Sequence, residues 1–182
     1  MSVHDPYTLP AGLPVPEDDG AADHLVGLAL PHLVLPSSQG DVDVAEVDVL
    51  YVYPRTGTPG EPSLPGWDEI PGARGCTPQS CGYRDRHDDF RELGLRVAGL
   101  SAQTLDEQSA FATRNAMPLP VLADPELRLA AALRLPTFEV QGHVLYKRLS
   151  LVAERGRIVQ VFYPVFPPDE NAAEVLGWVM SR

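Results

Sequence analysis

The chain's two cysteines, Cys76 and Cys81, share one short stretch, GCTPQSC, in a sequence of 182 residues. Two thiols that close together can form a disulfide, ligate a metal ion, or act as a reactive pair in which one attacks and the other resolves. The stretch follows a loop rich in proline and glycine and leads into QSCGYRDRHDDFREL, a polar, charged run that stops at Gly94. That pattern predicts a helix with Thr77 as a possible N-cap and Pro78 in the first turn, so both thiols fall at its start. Unpaired backbone N–H groups and the positive end of the helix dipole favour a thiolate there, the nucleophilic form of a cysteine. Cys76 is the better placed of the two, and Arg74 just before it adds positive charge. Free cysteines are often inert packing residues, but a polar helix start points to chemistry. A zinc site would need two further ligands, and none of His24, His32, His87 or His143 stands in a paired ligand spacing with Cys76. Neither a metal nor a cofactor is expected.

The elements that must position these thiols follow from patterning. With 44% hydrophobic residues the chain can bury one core and is too short for two ordinary domains, so the expected organisation is an N-terminal arm over 1–21 and one domain over 22–182. The arm mixes proline, glycine and acidic residues without a period. VDVLYVYP is a continuous apolar run stopped by Pro54, the pattern of a central strand buried on both faces, and LRVAGLSA and PLPVLAD read as two more. The alternation of Val42, Val44, Val47 and Val49 predicts short edge strands. Thr104 and Glu107 stand in capping-box spacing ahead of a helix to about Asn115, and Asp124-Pro125 opens another over ELRLAAALRL. TFEV, HVLYKRLSLVAE and RIVQVFY are strand-like and separated by turns at Gln141-Gly142 and Arg155-Gly156, and Pro167-Pro168-Asp169 introduces a last helix. Strands alternating with helices, closed by a hairpin, give an α/β fold with a central mixed sheet flanked by helices.

A net charge of −11 argues against nucleic acid or an anionic membrane surface as a partner. The first residues lack the basic region of a signal peptide, and the apolar run from Leu25 to Leu35 is cut by Pro31, so a cytoplasmic location and no membrane association are expected. In a reducing compartment a permanent structural disulfide is disfavoured, which again favours a reactive pair.

The order of elements is thioredoxin-like, and the sequence resembles the peroxiredoxins, most closely the bacterioferritin-comigratory or Q subgroup. The resemblance rests on Tyr53-Pro54, Thr58-Pro59-Gly60, Cys76-Thr77 and Cys81, then Arg84-Asp85, Phe90, SAQTLDEQSAFA, LADPELRLAAAL, and Arg148 ahead of LSLVAERGRIV. It covers most of residues 22 to 182. It implies a thiol-dependent peroxidase for hydrogen peroxide and organic hydroperoxides, with Cys76 as the attacking cysteine, Cys81 as the resolving cysteine, and Arg148 as the guanidinium that stabilises the thiolate. It also implies a thioredoxin-type reductant as partner and a monomer or weak homodimer. By residue type alone Arg148 would be an ordinary solvated strand residue.

One departure matters. In the family the threonine lies three residues before the cysteine, whereas here EPSLPGWDEIPGARG separates Gly60 from Cys76 and position 73 is alanine. Either Thr58 still reaches the sulfur because the insertion loops out, or backbone donors take its place; the insertion itself reads as a surface loop, or as a compact lid built on Trp67 and Ile70. The second class of function is a thiol-disulfide oxidoreductase or redox sensor without rapid peroxide attack. Leu135-Pro136-Thr137 matches the cis-proline and threonine of thioredoxins, but thioredoxin chemistry uses two residues between its cysteines and this pair has four.

Overall fold

The computed structural model describes residues 5–182; residues 1–4 of the expected arm lie outside the described residues. In chain order the strands are β1 (Val34–Leu35), β2 (Val42–Asp43), β3 (Val49–Val52), β4 (Val97–Ser101), β5 (Val121–Ala123), β6 (Thr137–Val140), β7 (His143–Tyr146), β8 (Leu149–Glu154) and β9 (Arg157–Phe162). The helices are α1 (Cys76–Asp85), α2 (His87–Glu92), α3 (Leu105–Arg114), α4 (Arg128–Leu133) and α5 (Asn171–Met180).

The apolar run at β3 takes the centre of a five-stranded sheet in the order β5-β4-β3-β8-β9. β4 runs parallel to β3 and β5, while β8 is antiparallel to β3 and to β9, so the sheet is mixed. Every residue of β3 is buried because both faces are covered, and its side chains alternate between two cores. Leu50 and Val52 join Leu100, Leu122, Leu129 and Leu151 on one face. Val49, Tyr51 and Tyr53 join Cys76, Tyr83, Phe90, Phe111 and Val175 on the other.

Four local expectations are corrected. The valine alternation does not form one set of edge strands: Val44–Glu46 is a 3-10 turn, because the Asp43 carboxylate accepts from the backbone N–H groups of Ala45 and Leu33 and competes with ladder pairing. The helix after the cysteines starts at Cys76 itself and is split into α1 and α2 at Arg86. Its N-cap is Gly75 at φ 106°, not Thr77, whose buried hydroxyl has no partner. A Cβ on Gly75 would lie 2.3 Å from Pro168 and 2.9 Å from Leu9, so tertiary packing sets the helix start where a capping hydroxyl was expected. The fourth helix begins at Arg128, four residues after Asp124, whose carboxylate accepts from the N–H groups of Arg128 and Leu129 and from the Tyr146 hydroxyl. The capping box at Thr104 and Glu107 forms as its spacing predicts. Among the described residues the cis peptide bonds are Tyr163–Pro164 and Phe166–Pro167, so Leu135–Pro136 is trans.

Two segments outside the sheet matter for the site. HVLYKRLSLVAE breaks at Lys147-Arg148: β7 pairs with β6 in a separate hairpin, and β8 enters the central sheet. The insertion before Cys76 is packed, with Trp67 buried in a 3-10 turn among Ala73, Val140, Leu145, Ile70 and Phe138, so the β6–β7 hairpin supports it. Residues 5–19 are tied to the same region, through Arg74 donating to the carbonyls of Asp5 and Thr8 and through Asp19 accepting from Lys147 and Tyr163. The Lys147 and Tyr163 hydrogen bonds hold the Asp19 carboxyl below the usual carboxylate range.

If the insertion is a packed element, Trp67→Ala should lower unfolding stability by about 3 kcal/mol, the low end for a buried tryptophan. Urea unfolding curves measure it, and a loss below about 0.5 kcal/mol, as for a surface site, would return the insertion to a surface loop.

Candidate active site

Cys76 is 3% exposed and stands at the N-terminus of α1, where the first-turn N–H groups have no intrahelical partners. Its Sγ lies 3.3 Å from Nη2 of Arg148 and 3.4 Å from the backbone N–H of Arg55, two contacts in which the sulfur can only be the acceptor. As a thiol it can also donate to the carbonyl of Ala73, at 3.6 Å.

Arg148 reaches this position from the junction of β7 and β8. The residue is itself only 3% exposed. Nη2 is surrounded by the carbonyls of Gly72, Ala73 and Arg74 at 3.0 to 3.2 Å, and Nη1 donates to Oε1 of Gln79 at 2.5 Å. Among the described residues no carboxylate pairs with it. A buried cation surrounded only by neutral dipoles favours a negative charge in contact with it, and the group in contact is Cys76 Sγ.

Cys81 lies elsewhere. It is half-buried on the same helix, and burial pushes its thiol up, an effect that the nearby Arg84 partly opposes. Five residues along a regular α-helix separate Cα atoms by about 8.6 Å, beyond the ~7 Å reach of a disulfide. The structure therefore brings Cys76 and Arg148 together and leaves Cys81 apart, with both cysteines free.

Thr58 makes no hydrogen bond to Cys76; it lines a neighbouring cavity of about 340 Å³ with Arg55, Trp67, Gln103 and Arg114. The Arg55 N–H supplies the contact in its place. Its aim is set by Gln103 beyond the end of β4, whose Oε1 accepts from the N–H and hydroxyl of Thr56 at 2.9 and 3.1 Å. A small pocket lined by Pro6, Arg55, Gly57, Trp67 and Cys76 opens at the sulfur and shares a wall with the larger cavity. Among the described residues no group of three or more His, Cys, Asp or Glu side chains could hold a metal ion. Sequence reasoning missed Arg55, Gln79 and Gln103. Only Gln79 carried a signal, since residues three apart in a helix share a face with Cys76.

A thiolate fixed between a guanidinium and an N–H can attack an electrophilic atom, and the same two donors can hold the charge that develops on the departing group.

Comparison with known proteins places the chain by family and by fold. The family described as Redoxin matches residues 26–176. A chloroplastic Peroxiredoxin Q of Sedum lineare is 28% identical over 134 residues, covering 73% of this chain and 63% of that protein. Peroxiredoxin bcp1 of Schizosaccharomyces pombe is 30% identical over 66% of this chain and 58% of its own length. The chain thus spans less than two thirds of those relatives, whereas the match to Peroxiredoxin Bcp of Bacillus subtilis, at 26% identity, covers 83% of this chain and 92% of that protein. Among solved structures, Peroxidoxin BcpB from Mycobacterium tuberculosis superposes with a TM-score of 0.69 at 24% identity, covering 87% of this chain and 98% of that one. A PrxQ from Xylella fastidiosa gives the same TM-score at 19% identity over 87% and 97%. The fold is thioredoxin-like.

Replacing the guanidinium tests the electrostatics without assuming a substrate. Arg148→Met should slow alkylation of Cys76 by iodoacetamide at neutral pH about tenfold, since it removes the cation 3.3 Å from Sγ. Alkylation at Cys81, read by peptide mass spectrometry, serves as the internal control; equal rates in wild type and variant would show that Arg148 does not activate the sulfur.

Proposed function

The chain belongs to the Redoxin family, and on that premise we propose that it is a thiol-dependent peroxidase for hydrogen peroxide and organic hydroperoxides. The Cys76 thiolate attacks the terminal oxygen; the O–O bond breaks, sulfur is oxidised to the sulfenic acid, and the leaving oxygen departs as water or an alcohol after taking up the proton the thiol had released. Arg148 and the Arg55 N–H hold the thiolate and then the charge moving onto the oxygens. The single observation that carries this reading is a buried guanidinium without a carboxylate, in contact with the sulfur at a helix start.

Cys81 then resolves the sulfenic acid. Its thiol displaces the oxygen of Cys76 as water and an S–S bond forms within the chain, which a dithiol reductant of the thioredoxin type reduces by exchange. Both cysteines sit in α1, so this step requires the helix start to unwind. Gly82 lowers the cost, since glycine inside a helix is about 0.8–1.0 kcal/mol worse than alanine. Cys76, Cys81 and Arg148 are the working residues of this proposal. The proposed setting is the cytoplasm, with the protein as a monomer or weak homodimer; among the described residues no helix is long and apolar enough to cross a membrane.

Stopped-flow measurement with both peroxides is the test. Cys76→Ser should abolish peroxide consumption and keep the fold. Cys81→Ser should consume one equivalent and then overoxidise at Cys76. Mass spectrometry of the peroxide-treated wild type should find the Cys76–Cys81 bond within one chain, and a bond between chains, or two unlinked sulfurs, would overturn the resolving role.

A further inference from the structure

The segment that must unwind is held from below by the entry to α5. Gly75, at one end of it, is packed against Pro168; Gly82, at the other, faces the Ala172 Cβ and the Asp169 carbonyl, each 3.4 Å from where its own Cβ would stand. Between these two contacts lies a buried polar cluster. Oδ1 of Asn171 accepts from Gln79 Nε2 at 3.0 Å, the Tyr83 hydroxyl at 2.8 Å and the Ser150 hydroxyl at 2.7 Å. Gln79, Tyr83, Ser150 and Asn171 are all 1% exposed or less.

The orientation of this cluster is forced. A guanidinium can only donate, so Gln79 must present Oε1 to Arg148. Its amide nitrogen then faces Asn171, which must answer with its carbonyl oxygen. Two of the three donors converging on that oxygen belong to α1. Unwinding the helix start breaks both bonds and leaves the buried Asn171 oxygen with Ser150 alone, a cost that a solvated surface helix would not meet.

We propose that Asn171 is a latch that holds α1 folded and thereby sets how the Cys76 sulfenic acid partitions between disulfide formation and further oxidation. The inference rests on the peroxidase reading above. While α1 is folded, Cys81 cannot reach the sulfenic acid. A second hydroperoxide can, transferring one oxygen to give the sulfinic acid and leaving as water or alcohol. When α1 unwinds, the Cys81 thiol attacks, S–O breaks, S–S forms and water leaves. A tighter latch lengthens the first interval. Asn171 and Tyr83 are positioning residues here, since neither touches Sγ or the peroxide.

The full-length protein, reduced and then mixed with hydrogen peroxide, tests this by stopped flow, with quenched samples analysed by mass spectrometry. Tyr83→Phe removes one α1 bond to Asn171 with little change of shape; it should speed disulfide formation about fivefold, the effect of one net hydrogen bond. The sulfinic fraction at fixed peroxide should fall by a similar factor. Asn171→Ala removes both α1 bonds and should do more. In each the peroxide-attack phase should stay within about twofold of wild type, and amide exchange of the reduced protein should rise across residues 76 to 86 while β3 and β8 stay protected. If Asn171→Ala does not fold, Tyr83→Phe decides alone. A folded variant that is less stable yet has an unchanged disulfide rate and sulfinic fraction overturns the latch, as does a loss confined to peroxide attack. A wild type that forms no Cys76–Cys81 bond overturns the peroxidase reading itself, a result distinct from either.

Discussion

The site depends on one buried positive charge. Taking a guanidinium out of water costs several kcal/mol even after relaxation, and proteins usually offset this with a carboxylate. Around Arg148 the offset comes from three backbone carbonyls, one amide oxygen and a sulfur. These oxygens accept from Nη1 and Nη2 without cancelling the charge, and Nε has no partner among the described residues. That leaves the Cys76 sulfur as the one contact of the guanidinium that can carry a negative charge, and on the proposed reading the local field, rather than any general base, is the means of activation.

The same ion shapes the chain around it. The carbonyls of Gly72, Ala73 and Arg74 converge on a single nitrogen, which fixes the last residues of the insertion and delivers Gly75 to the helix start in its left-handed conformation. The insertion's other support is Trp67, set against the β6–β7 hairpin, and that hairpin ends at Tyr146, two residues before Arg148. Loop, hairpin and guanidinium are therefore one mechanical unit. Within it a main-chain N–H stands where the family resemblance puts a threonine hydroxyl, and a backbone donor is indifferent to the side chain that carries it.

How much of this could be read beforehand follows physical lines. The strands β3, β4 and β5 were visible because burial on both faces leaves continuous apolar runs, and the α3 start was visible because a capping box is made by residues three apart. Turns at Gln141-Gly142 and Arg155-Gly156 take the left-handed conformations their residues suggest. What could not be read depends on neighbours distant in sequence: the helix start at Gly75 is set by Pro168 and Leu9, and the break at Lys147-Arg148 by two different strand partners. Cys76 announced itself by position. Arg148 did not, because an arginine in a strand-like run is ordinarily solvated, and only the family resemblance singled it out. Gln79 and Asn171 are polar residues whose burial is a property of the assembled core.

The order in which these parts are synthesised gives the arrangement a further meaning. Pro168 and Asn171 are made about ninety residues after Cys76, and the contacts that join them are of long range, the slowest kind to form. A nascent chain that stops short of residue 148 carries two ordinary thiols on a helix with no seat. On the proposed reading the activating contact is thus acquired late, on completion of the fold, and the growing polypeptide passes through synthesis without it.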